Sequence, residues 1–302
     1  MNPYHVGSSR SDVVNEYVSI SRVNDSRLDK LVGKRNGQTI EVSKSTFEMM
    51  YKAHNILLKT GYETFPDGPG NQKTNIWMSG GRSWIRMFKS RSNYDEMAPK
   101  DKLIQSIKQS GGGCCGEHIS MVDFELKRID RSMPAFEVHD SNTDHGYMII
   151  GDWRDRNFGD KAIVVDAWQG IKKIHTYGER VNTSPPEVVR TVPAGPEYSL
   201  PPRMAAALSI KPEPNANMDE RMQHKFGVKS GPEVAEKILK SLETANSLWD
   251  SVLSTKNAYT VYRDPGGNES AFNDIPASYI NNYLNARNEL LSKMPDNQSE
   301  NN

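Results

Sequence analysis

Apolar residues at three- and four-residue intervals predict a first helix beginning at residue 45. Phe47, Met50, Tyr51, His54, Leu57 and Leu58 fall on one stripe of such a helix. Ser45-Thr46-Phe47-Glu48 has the order of a capping box, and Gly61 supplies a stop. Residues 62–75, with Pro66, Asp67, Gly68, Pro69 and Gly70, read as a loop. The apolar pieces 76–78 and 83–88 fit either strands or a helix begun after Gly81. A short helix over 100–109 ends at Gly111-Gly112-Gly113. Another follows over 118–129, where Ile119, Met121, Val122, Phe124 and Leu126 alternate with charge.

Beyond it the period shortens. Three strands are predicted over 135–139, 145–151 and 161–168 from their Val, Ile and Tyr content and their Asn, Asp and Gly boundaries. Between residues 183 and 214 stand Pro185, Pro186, Pro193, Pro196, Pro201, Pro202, Pro212 and Pro214. Proline interrupts both helix and sheet, so 181–230 reads as a linker or extended strap. Ser230-Gly231-Pro232-Glu233 then opens a long helix carrying Val234, Ile238, Leu242, Ala245, Trp249, Val252 and Leu253 on one face. A second begins near Pro276 with Tyr279, Ile280, Tyr283, Leu284, Leu290 and Leu291, and the two form a helical hairpin over 231–295. Residues 1–42 hold only short amphipathic pieces such as 13–18 and read as a flexible segment, and 296–302 as a disordered tail. The fold class expected is α+β, with a helix packed on an antiparallel sheet across 43–180.

Composition narrows the function. Lys+Arg and Asp+Glu balance at 38 each, which removes the electrostatic case for nucleic acid or an anionic membrane. A mean hydropathy of -0.70 implies long solvated connectors around the core. No apolar run approaches the roughly 20 residues that span a bilayer. The N-terminal stretch is polar and lacks the apolar region of a Sec signal. The only two cysteines, Cys114 and Cys115, are adjacent and cannot pin distant segments together, which suits a reducing compartment.

Those cysteines also open the chemistry. Cys115 begins a predicted helix, where the macrodipole and unpaired N–H groups favour a thiolate. The glycines before it allow a tight bend and the approach of a substrate carbonyl to N–H donors. Cys115 is therefore the expected nucleophile and Cys114 a bystander facing away, although a buried structural cysteine after a glycine turn explains the same residues. His145 opens one strand and Asp166 lies near the end of the next. In a hairpin whose loop is centred on 155–156 they stand opposite each other, with Cβ atoms about 5 Å apart. The carboxylate then accepts a hydrogen bond from one imidazole nitrogen and leaves the other for the thiol. A surface His–Asp pair is the plainer explanation. Trp168 is placed to cover that bond. His118 competes as a base carried on the nucleophile's own helix. A zinc site from Cys114, Cys115, His118 and either His139 or His145 is disfavoured, because adjacent ligands close a tetrahedron poorly and no second C-x-x-C exists.

Taken together, Cys-Gly-Glu-His at 115–118, Asp-His at 144–145 before an apolar strand, and Val-Val-Asp-x-Trp at 164–168 resemble papain-like or transglutaminase-like Cys-His-Asp thiol enzymes. These occur among bacterial toxins and type III-secreted effectors, and the similarity spans about 110–170. It implies Cys115 as nucleophile, His145 as general base and Asp166 as its orienter, with neither cofactor nor metal. Gln109 stands six residues before Cys115, the offset of the papain-like oxyanion glutamine. The thirty residues from Cys115 to His145 are fewer than in papain and nearer the deamidase and transglutaminase arrangement. Glutamine deamidation is thus expected ahead of proteolysis. The resemblance further implies a host protein as substrate, export by a non-Sec route into a host cell, and a secretion chaperone binding the N-terminal segment. A competing expectation is a non-enzymatic interaction module, with the C-terminal helices and proline strap as its surface and the thiol incidental.

Overall fold

The structure, a computed structural model, describes residues 16–294 apart from 34, 36, 93–98 and 244–247. The first third contains β1 (Tyr17–Ser19), α1 (Ser26–Val32), β2 (Thr39–Glu41), α2 (Lys44–Leu58), α3 (Lys73–Met78), α4 (Arg82–Ser92) and α5 (Lys100–Ser110). The centre contains α6 (Cys115–Lys127), β3 (Ala135–Asp140), β4 (His145–Ile150), β5 (Ile163–Val165), β6 (His175–Thr176) and β7 (Glu187–Val192). Then come α7 (Pro202–Leu208), α8 (Asn215–Phe226), α9 (Pro232–Glu243), β8 (Val261–Arg263), β9 (Glu269–Ser270), β10 (Asp274–Pro276) and α10 (Ala277–Lys293). The fold is mixed α and β.

Its centre is an antiparallel sheet in the order β6-β5-β4-β3-β7. Successive side chains of a strand point to opposite faces. Met148 and Ile150 of β4, with Ile163 and Val165 of β5, therefore meet Phe47, Met50 and Leu57 of α2 and Ile119, Val122 and Leu126 of α6. Tyr147, Ile149 and Val164 join Phe136, Val138 and Trp153 in a second apolar cluster. Each large side chain buried this way contributes about 1.5–3 kcal/mol, so the sheet with its two helices is the frame on which the site rests.

Several expectations change. Ser43, not Ser45, caps α2 by accepting the Thr46 N–H at 3.1 Å. The helix does not stop at Gly61 but continues as a π-turn to Thr64. Gly61 is required there by contact, since a Cβ would fall 2.2 Å from Cδ of Lys172. The pieces 76–78 and 83–88 are helical, and the third predicted strand contracts to β5. The described residues between 16 and 42 are not a loose segment: β1 pairs with β10, β2 runs parallel to β8, and Ile20 and Leu28 are fully buried. Residues 1–15 and 296–302 lie outside the described residues.

The proline-rich stretch is likewise no bare strap, because it supplies an edge strand and two helices. Its prolines stand at element ends: Pro193 follows β7, Pro201 and Pro202 start α7, and Pro214 precedes α8. At those positions the missing N–H and fixed φ interrupt nothing. The C-terminal hairpin is also corrected. Both α9 and α10 pack on α3, sharing Ile76, Trp77, Val234, Ile238, Ala286 and Leu290 in one cluster. The helix expected to run on to Leu253 is described over Pro232–Glu243; residues 244–247, with Ala245, lie outside the described residues, and 248–253 are not helical. Past it the chain pairs with other segments: Ser251 and Val252 carbonyls accept the Gly170 and Ile171 N–H groups at 3.1 and 2.8 Å. Trp249, Val252 and Leu253 match a helical period, yet their segment bonds to the loop after Asp166 and to residues 71–73.

Candidate active site

The turn before Cys115 is built by close packing. Gly111 ends α5 in the left-handed region at φ 66, and a Cβ on Gly112 would fall 2.3 Å from the Arg86 carbonyl carbon. Gly111, Gly112 and Gly113 are all buried, so they do not open the turn to a substrate as expected. Arg86, 1% exposed, clamps the region. It donates to Asp67 Oδ2 at 2.7 Å, the Ser110 carbonyl at 2.6 Å, the Glu213 carbonyl at 2.8 Å and Asn215 Oδ1 at 2.9 Å. Cys114 is the N-cap of α6, and its N–H donates to Glu117 Oε2 at 2.8 Å. Cys115 is thereby the first helical residue, half-buried beside exposed Gly116.

His145 and Asp166 come from β4 and the end of β5. Asp140 pairs with His145 at the β3–β4 turn, where Asp144 takes a left-handed φ of 45, a conformation Asp tolerates. Met148 pairs with Val165 and Ile150 with Ile163. That register is two residues from the one expected, and it would set Asp166 against Tyr147. A slip of two keeps every side chain on its face, whereas a slip of one would have reversed them. His145 Nε2 accordingly donates to Asp166 Oδ2 at 2.8 Å. Asp166, 2% exposed, also accepts Gln169 Nε2 at 2.7 Å and the Trp168 N–H at 3.2 Å. The Trp168 indole lies against the imidazole, centroids 4.6 Å apart, and its Nε1 donates to Asn71 Oδ1 at 2.8 Å. His145 Nδ1 is buried and has no hydrogen-bond partner of its own, and the Cys115 thiol lies beside the ring.

Electrostatics turn this contact into an ion pair. A hydrogen bond from the Cys114 thiol, then the His145 imidazolium and the Gly146 N–H, bring Cys115 down to about 4 against the opposing effect of burial. Donating that bond, together with burial, pushes the Cys114 thiol far up. Burial disfavours a charged His145, but the Asp166 carboxylate and then Cys115 overcome it and lift the imidazole to about 10. Asp166 is held below its ordinary value despite burial, chiefly by the His145 charge. At neutral pH the site is thiolate, imidazolium and carboxylate in sequence.

No family model, curated protein or solved structure matches the chain. The functional reading rests on this geometry.

The remaining sequence candidates separate cleanly. Cys114 is no bystander, since its sulfur touches Cys115 and accepts from the Arg91 guanidinium, itself 3.1 Å from Glu117. His118 is 1% exposed, stacks on Phe65 and bonds the Cys114 carbonyl through Nδ1 at 2.7 Å. Burial pushes it down to about 3, so it is neutral and packed, not a base at the thiol. Gln109 is exposed in the last turn of α5 with no hydrogen bond to Cys115, His145 or Asp166, and does not join the site. His139 pairs with Asp144 at 3.2 Å near the surface. Among the described residues, no group of three or more His, Cys, Asp or Glu is placed to hold a metal ion. Sequence reasoning missed Gln169, three residues past Asp166, and also Asn71 and Trp249, whose places depend on segments far apart in the chain. A cavity of about 180 Å³ borders His145 and Asp166, with Tyr147, Trp168, Trp249 and Leu253 in its wall. A larger open groove of about 720 Å³ between α4 and α8 touches none of Cys115, His145 and Asp166.

Proposed function

We propose that the protein is a thiol hydrolase acting on a carboxamide or peptide carbonyl of a protein substrate through Cys115, His145 and Asp166. The thiolate adds to the carbonyl carbon. As the C–N bond breaks, the imidazolium gives its proton to the departing nitrogen, leaving a thioester on Cys115. Water then attacks the thioester, His145 takes its proton, and the acid and thiol separate. Asp166 orients the imidazole and balances its charge throughout. The carrying observation is the meeting of three side chains from the start of α6, the start of β4 and the end of β5, with the carboxylate 2.8 Å from Nε2. A nucleophile-bearing helix on an antiparallel sheet that supplies base and acid also supports a papain-like or transglutaminase-like relationship.

The test is the pH dependence of iodoacetamide alkylation. An ordinary cysteine titrates near 8.5, so its rate still rises about tenfold per pH unit at pH 6. Cys115 should already be at its plateau there, and Cys115→Ala should remove the plateau. Cys114→Ser should keep it, since a hydroxyl can donate in place of the thiol. Alkylation of Cys115 that follows an ordinary thiol curve would refute the proposal.

A further inference from the structure

The cavity beside His145 bears on which bond is broken. Cys115 is not in its wall, whereas His145 and Asp166 are. Tyr147 and Val164 bound it, and both belong to the second apolar cluster of the sheet, not to the one containing α6. His145 is thus the residue of the three that adjoins both the thiol and the cavity. The group next to an imidazolium in this chemistry is the nitrogen it protonates, so whatever that nitrogen carries points toward the cavity. Ammonia carries nothing and would leave the space unused.

The walls specify the occupant. An engineered cavity of about 150 Å³ takes benzene, so about 180 Å³ accommodates a phenyl-sized group. Trp168, Trp249 and Tyr147 offer aromatic faces and edges, and Leu253 an aliphatic one. Most polar groups around them have partners within the protein, although Arg180 Nε and His145 Nδ1 are buried without one. Arg180 donates to Tyr147 Oη at 2.7 Å and to the Ser184 carbonyl at 3.1 Å. Asn182 donates to Asp140, Ser251 to Gln169, and Ser254 meets His175 Nε2 at 2.9 Å. Val181, 56% exposed, stands at the rim.

We infer that this cavity binds an aromatic side chain on the amine side of the attacked carbonyl. The inference rests on the thiol-hydrolase reading and makes the leaving group an amino-acid amine, as in peptide cleavage or its reverse, rather than ammonia. The reverse step is the convenient probe. An amine attacks the Cys115 thioester, its C–N bond forms, the C–S bond breaks, and the amine proton passes to His145 as the thiolate returns.

In the experiment 4-nitrophenyl acetate acetylates Cys115 of the full chain with a burst of 4-nitrophenolate, and phenylalanine amide competes with glycine amide for the acetyl group. Phenylalanine amide should be acetylated at least about tenfold more efficiently, the discrimination an apolar pocket supplies. Val181→Trp, at an exposed rim position, should close the cavity and abolish the preference while leaving the burst intact. Trp249→Ala, which removes one wall, should weaken it. A normal burst with equal acceptance of the two amines, or a preference that survives both substitutions, would overturn the inference alone. Absence of the burst would overturn the thiol-hydrolase reading and this inference with it.

Discussion

Replacing Asp166 with Asn tests the constellation as a unit, because the shape is kept and the charge removed. His145 is held at about 10 against an ordinary 6.5. At about 1.4 kcal/mol per tenfold step, that is roughly 5 kcal/mol in favour of the imidazolium. Burial works against that charge, and Asp166 is the largest of the contributions that overcome it. An amide also misfits the hydrogen bonds. Oδ2 accepts from both His145 and Gln169, and Oδ1 accepts from the Trp168 N–H. Whichever way the substituted amide is turned, an N–H faces an N–H, and a buried unpaired donor costs about 1–3 kcal/mol. Asp166→Asn should therefore raise the Cys115 titration by about 1–2 pH units. Turnover should fall about 10–1,000-fold with little change in KM, because a preformed thiolate needs the carboxylate less than a serine nucleophile does. The thiolate is followed by ultraviolet absorbance against pH, with Cys115→Ala as the blank, beside steady-state turnover. A variant with the parent titration and turnover would leave Asp166 as a structural acid and reduce the triad to a dyad.

Four further outcomes are expected. Activity against pH should be bell-shaped, rising through about 4 as Cys115 ionises and falling through about 10 as His145 loses its proton; a profile centred on an ordinary thiol value would contradict the ion pair. Because the folded His145 value lies above its unfolded 6.5, its contribution to stability is complete below about 6.5 and disappears as pH rises through about 10, which denaturant titration at several pH values measures. Gly112→Ala drives a methyl into the Arg86 backbone and should cost about 1–3 kcal/mol in thermal unfolding, whereas His118→Gln should leave the alkylation plateau of Cys115 in place, and loss of that plateau would restore His118 as a base.

The stretch from Cys115 to Trp168 was legible because short-range signals govern it. A helix that starts right after a glycine turn, and two strands bounded by Asp and Gly, put Cys115, His145 and Asp166 at element ends. The register was read two residues off, and the period of two forgave the error. Elsewhere distant contacts decided. The glycines at 61 and 112 look like a helix stop and a hinge, but each is needed because Lys172 or Arg86 passes too close for a Cβ. Prolines at element boundaries look like those in a linker until neighbouring strands and helices are seen. Trp249 and Leu253 continue a helical period on paper, while their segment is held by Gln72 and the loop after Asp166. Nothing local marks Gln109 as unsuited to the site; only its exposed place in α5 shows it.

The supports of the triad have a consequence for timing. Asn71 reaches Trp168 across 97 positions, and Ser251 reaches Gln169 across 82. A growing chain thus exposes Cys115, His145 and Asp166 well before the segment that steadies Gln169 has been made. The thiol should stay chemically ordinary until the segment around Ser251 has been made and has joined the fold. A chain cut after residue 243 should accordingly be alkylated along an ordinary thiol curve, and early reactivity in that fragment would show that the nascent protein is never latent.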